Sequence, residues 1–365
     1  MSAPMVERIA KAVLYEGYLL YPYRPSAVKN RQRFNFGVVY PRAYSEAESG
    51  TAPWEMETEC LALGGPLAVL EVKVRCLRLV DRVVGREVGA GFVPADSIEV
   101  DGQTYESWQE AAECEMKLPE FRFAELEAGP VRQRFVHPAT RAVEHLGDGA
   151  IVRTQEQLEC GIELSLEAVE RGAGTHARSA ETHLGATGRE ESRRSGHECL
   201  RHIRVCISNF TPLADEPPVN REAVLGRSLL SAHTILRVRG GEFVSLLEPP
   251  PPFQEAADAC KNVGTYPVLA GEPGQRDTVL SSPIILYDYP QIAPESPGDL
   301  FDGAEIDEIL SLRILALTDD EKAAMRRSDE RARRILERTE TLPPEHFMKL
   351  HGALRGMPGS GKEAS

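Results

Sequence analysis

No run in this chain of 365 residues approaches the roughly 20 apolar residues that a helix needs to cross a bilayer, so no membrane span is expected. The opening stretch, MSAPMVERIAKAVLYEGYLLYPYR, lacks a clean apolar segment followed by a small-residue cleavage site, and no secretory signal is expected either. Cysteine is sparse. Cys60, Cys76, Cys114, Cys160, Cys199, Cys206 and Cys260 are odd in number, and no two stand in CxxC spacing. That argues against a disulfide framework and for reduced, mostly buried thiols in the cytoplasm. Positive charge is short as well: 42 Lys and Arg against 56 Asp and Glu leave a net charge of −14. Such a balance disfavours nucleic acid as a partner of the whole molecule, and anionic membranes too. Also missing are a Gly-x-Ser-x-Gly elbow, an HExxH pair and a dinucleotide-binding GxGxxG, so no hydrolase or redox class is indicated and no cofactor is expected.

What is present suits a globular protein. The chain is 42% hydrophobic and 27% charged, enough to build a core without metal or disulfide staples. Leu70, Val72, Val74 and Cys76 alternate with Glu71, Lys73 and Arg75, the period of a half-buried strand. The phase breaks at Leu77 and Leu79, the mark of a bulge or of a second buried face. Asp101-Gly102 reads as a hairpin turn, because both residues tolerate positive φ. Trp108 to Lys117 reads as a short helix ended before Pro119. Ile162, Leu164 and Leu166 predict one strand, and Ile203, Val205 and Ile207 another. Two more, Thr234 to Val238 and Glu242 to Leu247, read as a hairpin about Gly240-Gly241.

Four consecutive prolines, Pro249 to Pro252, cannot join a helix or a central strand and mark the expected domain boundary. The spacings of Asp302 with Glu305 and of Thr318 with Glu321 suit capping boxes ahead of apolar residues at helical period. The expected class is therefore α+β: a β-rich antiparallel body over 1–250 with a mobile loop at 172–196. A proline-rich wrapped segment and C-terminal helices follow over 253–355, then a disordered tail at 356–365.

Three sets of residues invite a functional reading. His197, Cys199, His202 and Cys206 are soft ligands within ten residues. On a strand, however, His202 and Cys206 share a face with Arg204 between them, so metal binding is not expected there. Asp299, Asp302, Glu305, Asp307 and Glu308 form an acidic cluster that helix capping accounts for. The third set is the most unusual. Tyr15, Tyr18, Tyr21, Tyr23, Phe34, Phe36 and Tyr40 interleave with Arg24, Lys29, Arg31 and Arg33, and from Arg24 to Arg42 no acidic residue occurs. Aromatic rings beside guanidinium groups concentrate in protein interfaces, so Tyr21, Tyr23, Arg24, Lys29, Arg31 and Arg33 are the expected partner-binding set. The ordinary alternative is that the rings pack a core edge and the cations pair with internal carboxylates.

Three stretches carry a family resemblance. They are YEGYLLYPYRPSAVKNRQRF, NVGTYPVLAGEPGQRDTVLSSPIILYDYPQIAPESPGDLFDGAEIDEIL and LTDDEKAAMRRSDERARRILERTE. Together they resemble an uncharacterised bacterial protein family associated with gene clusters for high-affinity, actinobacterial-type nickel–iron hydrogenases. The resemblance implies an accessory role in assembly, maturation or docking, with a hydrogenase subunit or another accessory protein as partner. It brings no catalytic motif. The chain has neither CxxC nor a His-rich tail, so nickel insertion itself is not implied. The alternative is an enzyme with its pocket between the sheet and the proline-rich segment.

Overall fold

A computed structural model describes residues 3–14, 36–89, 91–169, 199–213 and 221–291, with scattered positions between 318 and 341. The chain divides into two compact units: Met1–Gly17 with Phe34–Pro290, and Tyr18–Arg33 with Gln291–Ser365. Of the second, only Gln291 and the scattered positions are described. The first opens with helices α1 (Ala3–Leu14) and α2 (Arg42–Ala47), then the long strand β1 (Glu55–Val88). Next come β2 (Gly91–Ala95), β3 (Ser97–Val100), β4 (Gln103–Glu106), β5 (Trp108–Lys117), β6 (Phe121–Arg122) and the turn of helix α3 (Phe123–Leu126). Strands β7 (Val131–His137), β8 (Thr140–Leu146), β9 (Gly149–Gln155), β10 (Leu158–Ala168) and β11 (Cys199–Asn209) follow. The unit ends with α4 (Arg221–Leu225), β12 (Leu230–Val244), α5 (Gln254–Ala259), β13 (Tyr266–Leu269) and β14 (Thr278–Ser282).

The expected α+β class is corrected. Among the described residues the fold is largely all-β, with 54% strand against 18% in a few short helices, arranged as an open antiparallel sheet. No helix or strand is delimited beyond Ser282, and of the expected C-terminal helices only scattered helical positions, from Asp319 to Thr341, stand among the described residues. Residues 302–317, expected to form the first of those helices, lie outside the described residues. The run Pro249–Pro252 falls within the first unit, and β13 and β14 beyond it join the same sheet as β12.

Six strands of the sheet pair with β1. One of its edges pairs in turn with β11, β6, β5 and β2, and the other with β12 and then β9. Leu70, Val72, Val74 and Cys76 enter the main core with Met116, Leu118, Phe123, Leu158, Ile162 and Val205. The sheet doubles back around this core, so that Cys160 Sγ of β10 lies 3.1 Å from Met116 Sδ of β5. The alternate side chains Lys73 and Arg75 point the other way, where α1 covers them. Glu7 accepts from Lys73 Nζ at 2.9 Å and from Arg75 Nη1 at 3.1 Å, while Val6, Ile9, Ala10 and Leu14 recur at helical spacing and are buried.

The break in alternation after Cys76 is a register shift against β12 between Arg75 and Leu77. The turn at Asp101-Gly102 links β3 to β4 with φ of 51° and 75°. Two local readings are corrected. Trp108–Lys117 is strand β5, laid against residues 73–82 of β1 in continuous antiparallel register. Its Glu and Ala content favours helix, but pairing with β1 and burial of Trp108, Cys114 and Met116 override that preference. Gly240-Gly241 is no hairpin turn. It sits inside the single strand β12, opposite the point where β1 bulges between Gly64 and Val69.

Gly85 is a position where packing demands glycine. Flanked by β2 and β9, it would place a Cβ 2.2 Å from the Val93 carbonyl oxygen and 2.7 Å from the Phe92 ring. Gly85→Ala is expected to destabilise the unit by about 1–3 kcal/mol, since backbone must move to admit the methyl. Urea denaturation measures it; a midpoint unchanged from wild type would contradict this packing.

Candidate functional site on the outer face of the sheet

The six residues of the expected partner-binding set, Tyr21, Tyr23, Arg24, Lys29, Arg31 and Arg33, lie outside the described residues, as does His197. Cys199, His202 and Cys206 belong to β11. Their surroundings are set by strand alternation. Ile203, Val205 and Ile207 of β11 enter the core, so His202, Arg204, Cys206 and Ser208 lie on the opposite face beside Glu55, Glu57 and Glu59 of β1.

On that face the charges are laid out as cross-strand rungs. Arg132 Nε of β7 donates to Glu163 of β10 at 2.5 Å, and Glu163 also pairs with Arg204 of β11 at 3.5 Å. Arg204 donates in turn to Glu57 of β1. That hydrogen bond holds the Glu57 carboxyl below its ordinary range, against a smaller opposing effect of burial. Arg134 pairs with Glu159 at 2.8 Å, and its guanidinium lies 4.9 Å from the centroid of the Phe210 ring. Between these rungs lies a cavity of about 320 Å³, lined by Arg132, Arg134, Arg204, Glu55, Glu163 and Phe210 among others. Cys206 also lines it, but burial raises its thiol above the ordinary value, so it is a poor nucleophile. Among the described residues β7 pairs only with β10, and its other edge bounds this groove.

At the far end of the same face, Glu59, His202 and Cys260 converge. One donor atom from each lies within 4.8 Å of the others. His202 Nε2 is 3.1 Å from Glu59 Oε2, and the Lys261 backbone N–H donates to that same oxygen at 2.6 Å. Asn262 clasps the backbone of Glu59, accepting from its N–H at 2.8 Å and donating to its C=O at 3.3 Å. Burial first, and then the Glu59 carboxylate, push the Cys260 thiol up to about 12. Cys199, His202 and Cys206, the soft ligands that lie among the described residues, thus do not assemble with one another. Arg204 separates His202 from Cys206, while Cys199 is exposed at the start of β11. Glu59 and Cys260 went unread because they lie on distant elements. The legible trace was the alternation Glu55, Glu57, Glu59 facing His202 and Arg204 in a pairing pattern.

Inside the core, Cys76 stands directly opposite Cys114 in register, and Cys114 Sγ is 3.3 Å from His137 Nε2. The hydrogen bond from Cys76 lowers Cys114 and raises Cys76, and burial raises Cys76 further.

No protein-family model matches the chain, and no curated protein does. Among solved structures, the InvG secretin domain beta-barrel from the Salmonella SPI-1 injectisome NC-base is similar at 10% identity. The match covers 49% of this chain and 68% of that one with a TM-score of 0.07, which carries no argument. No helix among the described residues is long and apolar enough to cross a membrane.

Proposed function

We propose that this chain is a docking or assembly protein of a nickel–iron hydrogenase system, which recognises a protein partner and does not itself catalyse a reaction. The three family-like stretches motivate the system. The observation that carries a docking role is the edge of β7 that is unpaired among the described residues, beside the groove at Phe210. Arg132 and Arg134 are 72% and 66% exposed there, and Val136 is exposed between the rungs and His137. A partner strand added to that edge would gain main-chain hydrogen bonds, while Phe210 and the guanidinium groups would select its side chains.

The test has two arms. Purification of the chain from native cells is expected to bring with it a hydrogenase subunit or another accessory protein. Reversing both charges, Arg132→Glu with Arg134→Glu, is expected to cut that recovery by roughly tenfold, through loss of interfacial complementarity. Deletion of the gene is expected to impair hydrogenase processing and hydrogen uptake; normal processing and uptake would overturn the proposal.

A further inference from the structure

Glu59, His202 and Cys260 arrive from three separate elements: β1, β11 and the segment that leaves α5. They offer one carboxylate oxygen, one imidazole nitrogen and one sulfur. The geometry points to a binding site for a divalent transition ion of the zinc class, held by these three side chains with one coordination position open. Zinc accepts this mixed donor set, with bonds of about 2.0–2.2 Å to oxygen and nitrogen and about 2.3 Å to sulfur. In a tetrahedron those lengths separate neighbouring donors by about 3.3–3.6 Å. The observed oxygen-to-nitrogen distance of 3.1 Å already suits that, and a spread of at most 4.8 Å needs only a small contraction.

The pair His202–Glu59 alone would be an ordinary hydrogen bond. What sets this cluster apart is that the segment carrying the thiol is locked onto the carboxylate residue. Cys260, Lys261 and Asn262 are consecutive, and the latter two bind the Glu59 side chain and backbone by three hydrogen bonds. These are the outer contacts that fix a ligand's position before an ion arrives. Packing supports the same placement. Leu61, which pairs with His202 in register, joins Leu200, Val244 and Ala257 of α5 in a satellite core against which Cys260 packs. The fold thus brings the thiol, the carboxylate and the imidazole together, an arrangement that a cation would stabilise.

On binding, the thiol gives its proton to solvent, the imidazole gives up the Nε2 hydrogen it shared with Glu59 and keeps a single proton on Nδ1, and Cys260 Sγ, His202 Nε2 and a Glu59 oxygen each donate an electron pair to the ion. The site is reachable, since the His202 side chain is 26% exposed and Cys260 is half-buried. A water molecule from solvent completes the set.

The test uses untagged full-length protein, stripped with a chelator and titrated with cobalt(II) alone, then with zinc. One equivalent of cobalt is expected, with a thiolate-to-cobalt charge-transfer absorption that zinc abolishes. Because the wild-type spectrum itself reports thiolate ligation, its absence would overturn the proposal whatever the variants do. Cys260→Ser and His202→Ala are expected to weaken affinity by about 100-fold, and Asn262→Ala by about 10-fold through loss of support for Glu59. Cys199→Ser and Cys206→Ser should bind as wild type does. Absorption that survives Cys260→Ser, or disappears in Cys199→Ser, would equally sink it. Zinc should raise the melting temperature of the wild type and leave that of Cys260→Ser unchanged.

Discussion

Phe123→Ala is expected to cost about 3–5 kcal/mol of folding stability, the range for emptying a fully buried aromatic site. The Phe123 side chain is wholly buried in the main core. Its ring lies so close to Gly64 that a Cβ there would stand 2.7 Å from it, and its helical turn packs on both β1 and β10. Neither rigid strand can collapse into the space without losing its own pairing, which is why the upper part of the range is expected. Equilibrium urea denaturation of wild type and variant gives the difference. A loss below about 1 kcal/mol would mean that α3 is dispensable to the core. Phe123→Leu, which keeps most of the volume, should recover more than half of the loss.

Acid should unfold the protein in part through His233. This imidazole is fully buried, donates from Nδ1 to the Ser231 carbonyl at 2.6 Å and accepts at Nε2 from the Ser282 hydroxyl at 3.3 Å. Burial, aided by the charge of Arg75, lowers it from 6.5 to about 4, despite the opposing Ser231 hydrogen bond. The unfolded chain therefore takes up this proton at a higher pH than the folded one. Between those two values the unfolded state holds more protons, so stability is full above 6.5 and falls as the pH drops toward about 4. The gap amounts to about 3 kcal/mol. Carboxylates contribute to acid unfolding as well, so the informative quantity is the difference between wild type and His233→Gln. The variant should be weaker at neutral pH yet lose about 3 kcal/mol less on acidification to pH 4. Parallel losses in the two proteins would show that His233 takes no part.

The strands were the readable part of this molecule. Alternation marked residues 70–76 of β1 and the centres of β10 and β11, because each has one face in the core and one outside it. The register shift after Arg75 was visible as a break in phase, and the turn at Asp101-Gly102 as a dipeptide suited to positive φ. Where the reading went astray, long-range pairing outweighed local preference. Trp108–Lys117 has a helix-forming composition and becomes a strand because β1 supplies a partner along its whole length. Gly240-Gly241 looked like a turn because nothing nearby in sequence shows that a bulge in β1 lies opposite. The cluster of Glu59, His202 and Cys260 was illegible for the same reason: its members are joined by topology, and only His202 stood out among its neighbours.

A single 34-residue strand that serves six others also dictates the order of events during synthesis. β1 leaves the ribosome early, but β11 and β12, which flank its first half, are translated long afterwards. Until then that half presents two unsatisfied backbone rims to the crowded cell, the condition under which nascent chains stick to one another. Folding governed by such distant partners is slow. Production of this protein should accordingly respond to chaperone supply and to lowered growth temperature more than to codon choice.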